Sequence, residues 1–167
     1  MRRLIGIVLG LIVAQLAGGA VAQQSPALEV GSGNKLSLLL SPYTYHFTYD
    51  TEHKDVVLLG VERERPDAKL DGFAVFTNSF GQPSLYLYPW GGAYHEFLGV
   101  KGLSFKWTAG VLFGYVDPYR DKVPLNYRGF SPAVIPSLAY ELAPGWSGQL
   151  NLLGNNALRF QLSVALN

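Results

Sequence analysis

His46 and Ser79 are the two side chains of this sequence whose types are best suited to covalent chemistry. An imidazole that takes the proton of a serine hydroxyl turns that hydroxyl into a nucleophile for acyl transfer. A histidine and a serine at loop edges are usually ordinary solvated residues. This chemistry therefore requires a fold that brings the two side chains together. His53 and His95 are the other histidines, but there is no Cys and no close ligand cluster. We therefore expect no metal and no other cofactor, and the sequence contains no phosphate-cradling glycine motif.

Segments of about ten residues with alternating polarity are the elements that would position these side chains. Phe105 and Trp107 alternate with Lys106, and near the end of the chain Phe160 alternates with Arg159. This period of two is typical of β-strands with one apolar and one polar face. Ten residues is also the length that a tilted strand needs to cross a bilayer with its backbone fully paired.

We predict eight strands. An even number lets the sheet close into an antiparallel barrel with both chain ends on the periplasmic side. Four links then share the extracellular rim, at residues 46–55, 79–82, 117–131 and 154–156, and this brings His46 and the Asn78-Ser79 pair to the same rim. The strands are predicted at residues 36–45, 56–65, 70–79, 83–90, 103–116, 132–142, 146–154 and 157–167.

The first 22 residues have the features of a cleaved signal peptide. Arg2 and Arg3 form a basic start, residues 4–16 are mostly apolar, and Ala20-Val21-Ala22 fits a signal-peptidase site. The apolar run is short for a membrane span, although a retained N-terminal anchor is the alternative. We therefore divide the chain into a signal peptide at 1–22 and one barrel domain at 23–167.

The composition favours a barrel whose outer wall faces lipid. The chain has ten Tyr, nine Phe, three Trp and nineteen Gly, and charged residues make up 15%, against about a quarter in soluble domains. The fold class that we predict is therefore all-β: an eight-stranded antiparallel transmembrane β-barrel in the outer membrane of a Gram-negative cell, present as a monomer. A net charge of +1 argues against a nucleic-acid partner. A soluble sandwich or lipocalin-like barrel also alternates, with its apolar face inside, and stays open as an alternative.

Four short motifs follow one another along the predicted mature chain. Residues 45–50 read Tyr-His-Phe-Thr-Tyr-Asp, and residues 76–80 read Phe-Thr-Asn-Ser-Phe. Residues 132–140 form a proline-flanked apolar stretch, and Gly-Asn-Asn at 154–156 precedes a closing strand that contains Phe-Gln. In this order the motifs resemble those of the lipid A palmitoyltransferases (the PagP family). The sequence departs from the family pattern at Asn78, where the family typically has Asp.

The resemblance implies an enzyme that moves a palmitoyl chain from the sn-1 position of a phospholipid to lipid A of lipopolysaccharide. His46 would be the general base and Ser79 the hydroxyl partner, as a nucleophile or as part of the acyl-transfer relay. Asn78 would position or polarise these groups. The predicted extracellular loops also carry four cations that would face the anionic lipid A phosphates, namely Lys54, Arg120, Lys122 and Arg128.

An acyl chain inside the barrel would need small or apolar inward residues, and prolines that interrupt strand pairing would give lipid a lateral entry. A filled interior and ordinary strand-edge prolines are the alternative interpretation. Two other functions also stay open. One is a non-enzymatic outer-membrane barrel, structural, adhesive or a narrow solute channel, and the other is a soluble lipid-binding barrel. The inward candidates are Gly110, Leu112, Gly114, Ala133, Ile135 and Ala139, and the prolines are Pro42, Pro132, Pro136 and Pro144.

Overall fold

Eight antiparallel strands close into one barrel in the computed structural model, which describes residues 33–48 and 51–166. Each strand pairs with the next, and β1 pairs with β8 to close the sheet. This confirms the predicted closed eight-stranded antiparallel barrel. The predicted signal peptide at residues 1–22 lies outside the described residues. The strands are β1 (Lys35–His46), β2 (Leu58–Glu64), β3 (Leu70–Thr77), β4 (Pro83–His95), β5 (Leu103–Phe113), β6 (Phe130–Ala143), β7 (Trp146–Leu153) and β8 (Ala157–Ala165).

Two short 3-10 segments, Phe97–Gly99 and Arg120–Lys122, lie in the links. Within residues 33–48 and 51–166, no helix has the length and apolar character to cross a membrane.

Strand β4 extends to His95, five residues beyond its predicted end at residue 90. The ladder between β4 and β5 shifts register between Leu87 and Trp90, so a bulge interrupts the pairing around Pro89. A proline cannot donate to a ladder, and a bulge lets the strand continue past it. The prediction ended the strand one residue after the proline because periodicity alone cannot indicate a bulge.

Alternation places polar side chains in the lumen and apolar side chains on the outer wall. Lys106 and Thr108 are buried inside the barrel, while Val111 and Phe113 are exposed outside. In the last strand Arg159 is buried and Phe160 is exposed. Every strand exposes at least one large apolar side chain on the outer wall, for example Leu40, Leu59, Phe73, Leu87, Val111, Val134, Leu150 and Phe160.

The antiparallel order creates two rims. The site rim comprises the end of β1 at His46 together with residues 47–48, 51–57, 78–82, 114–129 and 154–156. The opposite rim comprises residues 65–69, 96–102 and 144–145. The four links that the sequence groups together therefore do share one rim.

Two notches interrupt the wall below the site rim. The ladder between β1 and β2 ends at Ser41 paired with Leu58, and the ladder between β6 and β7 begins at Ser137 paired with Asn151. Residues 42–46 of β1 and 130–136 of β6 therefore have no partner in these two ladders. Pro42 lies in the part of β1 that does not pair with β2. Pro132 and Pro136 lie in the part of β6 that does not pair with β7.

Candidate active site

His46 and Ser79 are in direct contact at the site rim. The Nε2 atom of His46 and the Oγ atom of Ser79 are 2.7 Å apart, which is hydrogen-bonding distance. His46 is the last residue of β1, and Ser79 lies two residues after β3 ends at Thr77. The sequence predicts that the two residues share a rim, and the fold joins them directly.

Asn78 holds the loop that carries Ser79. Its side chain is fully buried, and its Oδ1 accepts the backbone N–H groups of Phe80 and Gln82, each at 3.0 Å. Its Nδ2 donates to the Gly114 carbonyl at 3.2 Å and to Gln82 Oε1 at 3.3 Å. These bonds engage both polar atoms of the side chain. Asn78 therefore ties together the loop that carries Ser79.

His53 stacks against His46, with ring centroids 4.1 Å apart. Burial at the barrel mouth, together with the nearby charge of His53, lowers the pKa of His46 below its ordinary value of 6.5. The loop that carries His53 is joined to the Ser79 loop because Lys54 N–H donates to the Ser79 carbonyl at 2.7 Å. A lowered pKa keeps the His46 imidazole neutral at neutral pH, which is the form that accepts a proton.

Tyr115 is the third polar group of the site, and sequence reasoning missed it. Its phenol lies near Ser79, and burial raises the pKa of Tyr115 above its ordinary value. The phenol therefore stays protonated and can donate a hydrogen bond beside the serine. Tyr115 lies two residues after β5, in a segment whose alternation only predicts continued strand, so its sequence gives no sign of this role.

The His46–Ser79 pair borders a cavity of about 480 Å³. This volume lies within the range of about 300–1,000 Å³ that is typical of small-molecule sites. Tyr86 and Arg159 lie in its wall beside the catalytic candidates, and outward-facing Val134 adjoins it at the notch between β6 and β7. The apolar side chains that line it include Val56, Phe76, Leu112, Ala133, Ile135 and Leu153.

The four predicted cations divide into two groups. Lys122 lines the cavity, with its Nζ 5.1 Å from the centre of the Phe80 ring, and Lys54 lies against the Ser79 loop. Arg120 is instead paired with Asp117 at 3.8 Å on the exposed surface.

Arg128, the fourth cation, lies over the ring of Tyr127 at 5.3 Å. Neither Arg120 nor Arg128 lines the cavity. Of the four, Lys122 lines the cavity, and Lys54 adjoins it through the backbone contact with Ser79.

In the part of the chain that the structure describes, no group of three or more His, Cys, Asp or Glu side chains is placed to hold a metal ion. Comparison with known proteins gives no family model that matches this chain and no curated protein that matches it.

Proposed function

We propose that this protein is an outer-membrane acyltransferase that moves a palmitoyl chain from a phospholipid to lipid A of lipopolysaccharide. The observation that carries the proposal is the 2.7 Å contact between His46 and Ser79 at the mouth of an apolar cavity. A base in contact with a hydroxyl, next to space for a hydrocarbon chain, is the minimum that acyl transfer between lipids needs.

The outer wall supports a place in a membrane. Large apolar side chains are exposed on all eight strands, whereas the buried lumen contains the charged residues Glu62, Lys106 and Arg159. This polarity is the reverse of a soluble barrel, and it is what a lipid-facing wall requires. Exposed aromatic side chains near the strand ends, including Tyr45 and Trp146, are typical of membrane interfaces. The sequence features of residues 1–22 agree with export.

The residues of the site suggest the following steps. Neutral His46 takes the proton of Ser79, and the serine Oγ attacks the ester carbonyl of the phospholipid. His46 then returns the proton to the departing lysophospholipid oxygen, which leaves the acyl chain on Ser79. A lipid A hydroxyl then attacks this ester with His46 as base and regenerates the serine. Protonated Tyr115 would donate to the negative oxygen that develops in each step. The same two residues would instead form a proton relay if the acceptor attacks the phospholipid directly.

The acyl chain would lie in the cavity and enter through the wall. The notch between β6 and β7 adjoins the cavity at Val134, so a lipid in the outer leaflet has a lateral route that does not cross the barrel. Lys54 and Lys122 lie near the mouth, where they suit the phosphates of lipid A.

The lower lumen argues for a closed-ended cavity rather than a solute channel. Lys106 is paired with Glu62, and Tyr88 donates to the same carboxylate at 3.2 Å. Ser137 donates to Asn151 at 2.8 Å across β6 and β7. These interactions cross the interior between the cavity and the opposite rim, which favours the enzyme over the channel alternative.

Mass spectrometry of lipid A from cells that express the protein tests the proposal. We expect an added acyl chain with the wild-type protein and its loss with His46→Ala or Ser79→Ala. His95 and Ser104 give a matched control, because their side chains are hydrogen-bonded at 3.0 Å at the opposite rim. His95→Ala and Ser104→Ala should leave the modification unchanged.

Unmodified lipid A in cells with a folded wild-type barrel would refute the enzyme. An added chain that survives in both His46→Ala and Ser79→Ala would refute the site while leaving the activity in place.

A further inference from the structure

Arg159 is a buried cation inside the cavity that the proposed reaction does not use. It belongs to β8, where it pairs with Thr44 of β1 and Asn151 of β7, and its side chain is on the luminal face. His46 pairs with Ala157, so Arg159 lies two residues deeper than the catalytic candidates, roughly 7 Å along the strand. The residue lines the cavity and is 7% exposed.

The described structure supplies no counter-charge for this guanidinium. Its Nε atom is buried and has no hydrogen-bond partner. Glu62 is the buried carboxylate among the described residues, and its oxygens are engaged by Lys106 and by Tyr88. The groups that act electrostatically on Arg159 are neighbouring tyrosine phenols, which are neutral at physiological pH.

A guanidinium stays protonated in proteins, so it cannot remove its charge by losing a proton. A buried charge without a partner is strongly unfavourable, and an anion that enters the cavity would relieve that cost. The planar fork of N–H donors fits a carboxylate through two parallel hydrogen bonds.

The rest of the cavity restricts what that anion is attached to. Phe76, Leu112 and Ile135 present apolar surface beside Arg159, and the cavity continues to the rim and to the notch between β6 and β7. A small inorganic anion would leave this apolar wall uncovered. An elongated amphiphile with an acid group at one end would pair with Arg159 and also cover the apolar wall.

We propose that the cavity binds a free fatty acid, with its carboxylate on Arg159 and its chain along the apolar wall towards the rim. A fatty acid held this way has its carboxylate deep in the cavity, whereas the ester of the phospholipid would lie at the rim. Both would occupy the same space with their chains, so the fatty acid would compete with the phospholipid. That consequence rests on the proposed function, but the binding itself does not.

The test compares ligands that share a chain and differ in the head group. Purified barrel in a detergent with a neutral head group is titrated with decanoate labelled with carbon-13 at the carboxyl, with decanol, and with inorganic phosphate. Binding is followed by the carbon-13 signal and by the thermal unfolding midpoint. We expect a distinct bound carboxylate signal and at least about tenfold tighter binding of decanoate than of decanol, as a charge-assisted hydrogen bond provides.

Arg159→Met keeps an unbranched side chain without the charge and should remove this head-group preference, while Arg159→Lys should keep part of it. Arg65→Met removes a cation outside the lumen and should leave the preference intact. The comparison of ligands on the unmodified chain remains informative if Arg159→Met does not fold.

Equal binding of decanoate and decanol would overturn the proposal, as would phosphate that stabilises the barrel as much as decanoate does. Repeating the titration with Ser79→Ala separates the two ideas. Decanoate binding that persists in this variant supports the fatty-acid site whether or not lipid A is acylated. If the wild-type barrel acylates lipid A but binds decanoate no better than decanol, the fatty-acid site is refuted and the proposed function stands.

Discussion

Replacement of Asn78 by alanine should both destabilise the barrel and inactivate it. The substitution removes the acceptor of two backbone N–H groups and the donor to the Gly114 carbonyl. The N–H of buried Phe80 loses its partner without access to water, whereas half-buried Gln82 can recover one from solvent. An unsatisfied buried donor costs about 1–3 kcal/mol. With the lost side-chain donation, we expect about 2–4 kcal/mol of lost unfolding free energy.

Activity should fall further than stability suggests, because the same bonds set the position of Ser79. A shift of a reacting group by about 1 Å costs on the order of a hundredfold in rate. Asn78→Asp keeps both accepted N–H bonds but loses the two donated ones and sets a carboxylate against the Gly114 carbonyl. We therefore expect this variant to lie between the wild type and Asn78→Ala in both measurements.

Urea unfolding in lipid vesicles, followed by tryptophan fluorescence, gives the stability change, and transfer of a labelled acyl chain to lipid A gives the rate. Thr77→Ala is the control, because Thr77 is the exposed neighbour outside the barrel wall, and such a surface change should stay within about 0.5 kcal/mol. An Asn78→Ala barrel with an unchanged midpoint and full activity would refute the positioning role.

Three further predictions concern the pH profile, the wall and the oxyanion. Acyl transfer should decline as the pH falls through the lowered pKa of His46, with a midpoint below 6.5, and His53→Ala should move that midpoint upward by removing a nearby charge. Gly110→Ala should cost about 1–3 kcal/mol in urea unfolding, because a Cβ there would lie 2.0 Å from the Leu87 carbonyl oxygen. Tyr115→Phe should lower the rate of acyl transfer about tenfold with little change in the phospholipid KM, through loss of one hydrogen bond.

Matched variants separate these effects from general damage. Gly148→Ala is the counterpart of Gly110→Ala, since its Cβ would be 3.4 Å from Leu142, an ordinary contact, and its unfolding midpoint should barely change. Tyr119→Phe removes a rim phenol that contacts Glu52 rather than Ser79 and should keep the wild-type rate. A pH midpoint above 6.5 in the wild type would argue that a group other than His46 is the base.

The strands were predictable because inward-facing side chains alternate with outward-facing side chains, many of which are large and apolar. Lys106 and Arg159 fall on the polar faces of their dyads in the sequence, and both are buried in the lumen. Because both lie at the ends of odd-numbered strands, the shared rim of His46 and Ser79 follows from the antiparallel strand order. Contact between them does not, since it depends on a loop whose shape is set by Asn78.

The remaining features of the site depend on distances between loops, and alternation carries no information on those. His53 reaches His46 because its loop folds back over the mouth, where the Lys54 backbone is joined to Ser79. Residue type, strand order and the motif resemblance all selected His46 and Ser79, but none gave a reason to select Tyr115. Arg120 and Arg128 were predicted to face phosphates from their charge and loop positions, and the structure shows their local contacts with Asp117 and Tyr127.

On β4 the cavity lining ends at Tyr86, just before a bulge that periodicity cannot reveal. Tyr86 lies before the register shift, lines the cavity and stacks on Tyr88 at 5.0 Å. Tyr88 does not line the cavity and donates to Glu62 in the filled lower lumen. The close approach of β4 to β5 that this arrangement requires is possible because residue 110 is glycine. Under the proposed function, a change in the strand geometry around Pro89 should alter which acyl chain the cavity accepts without moving His46 or Ser79.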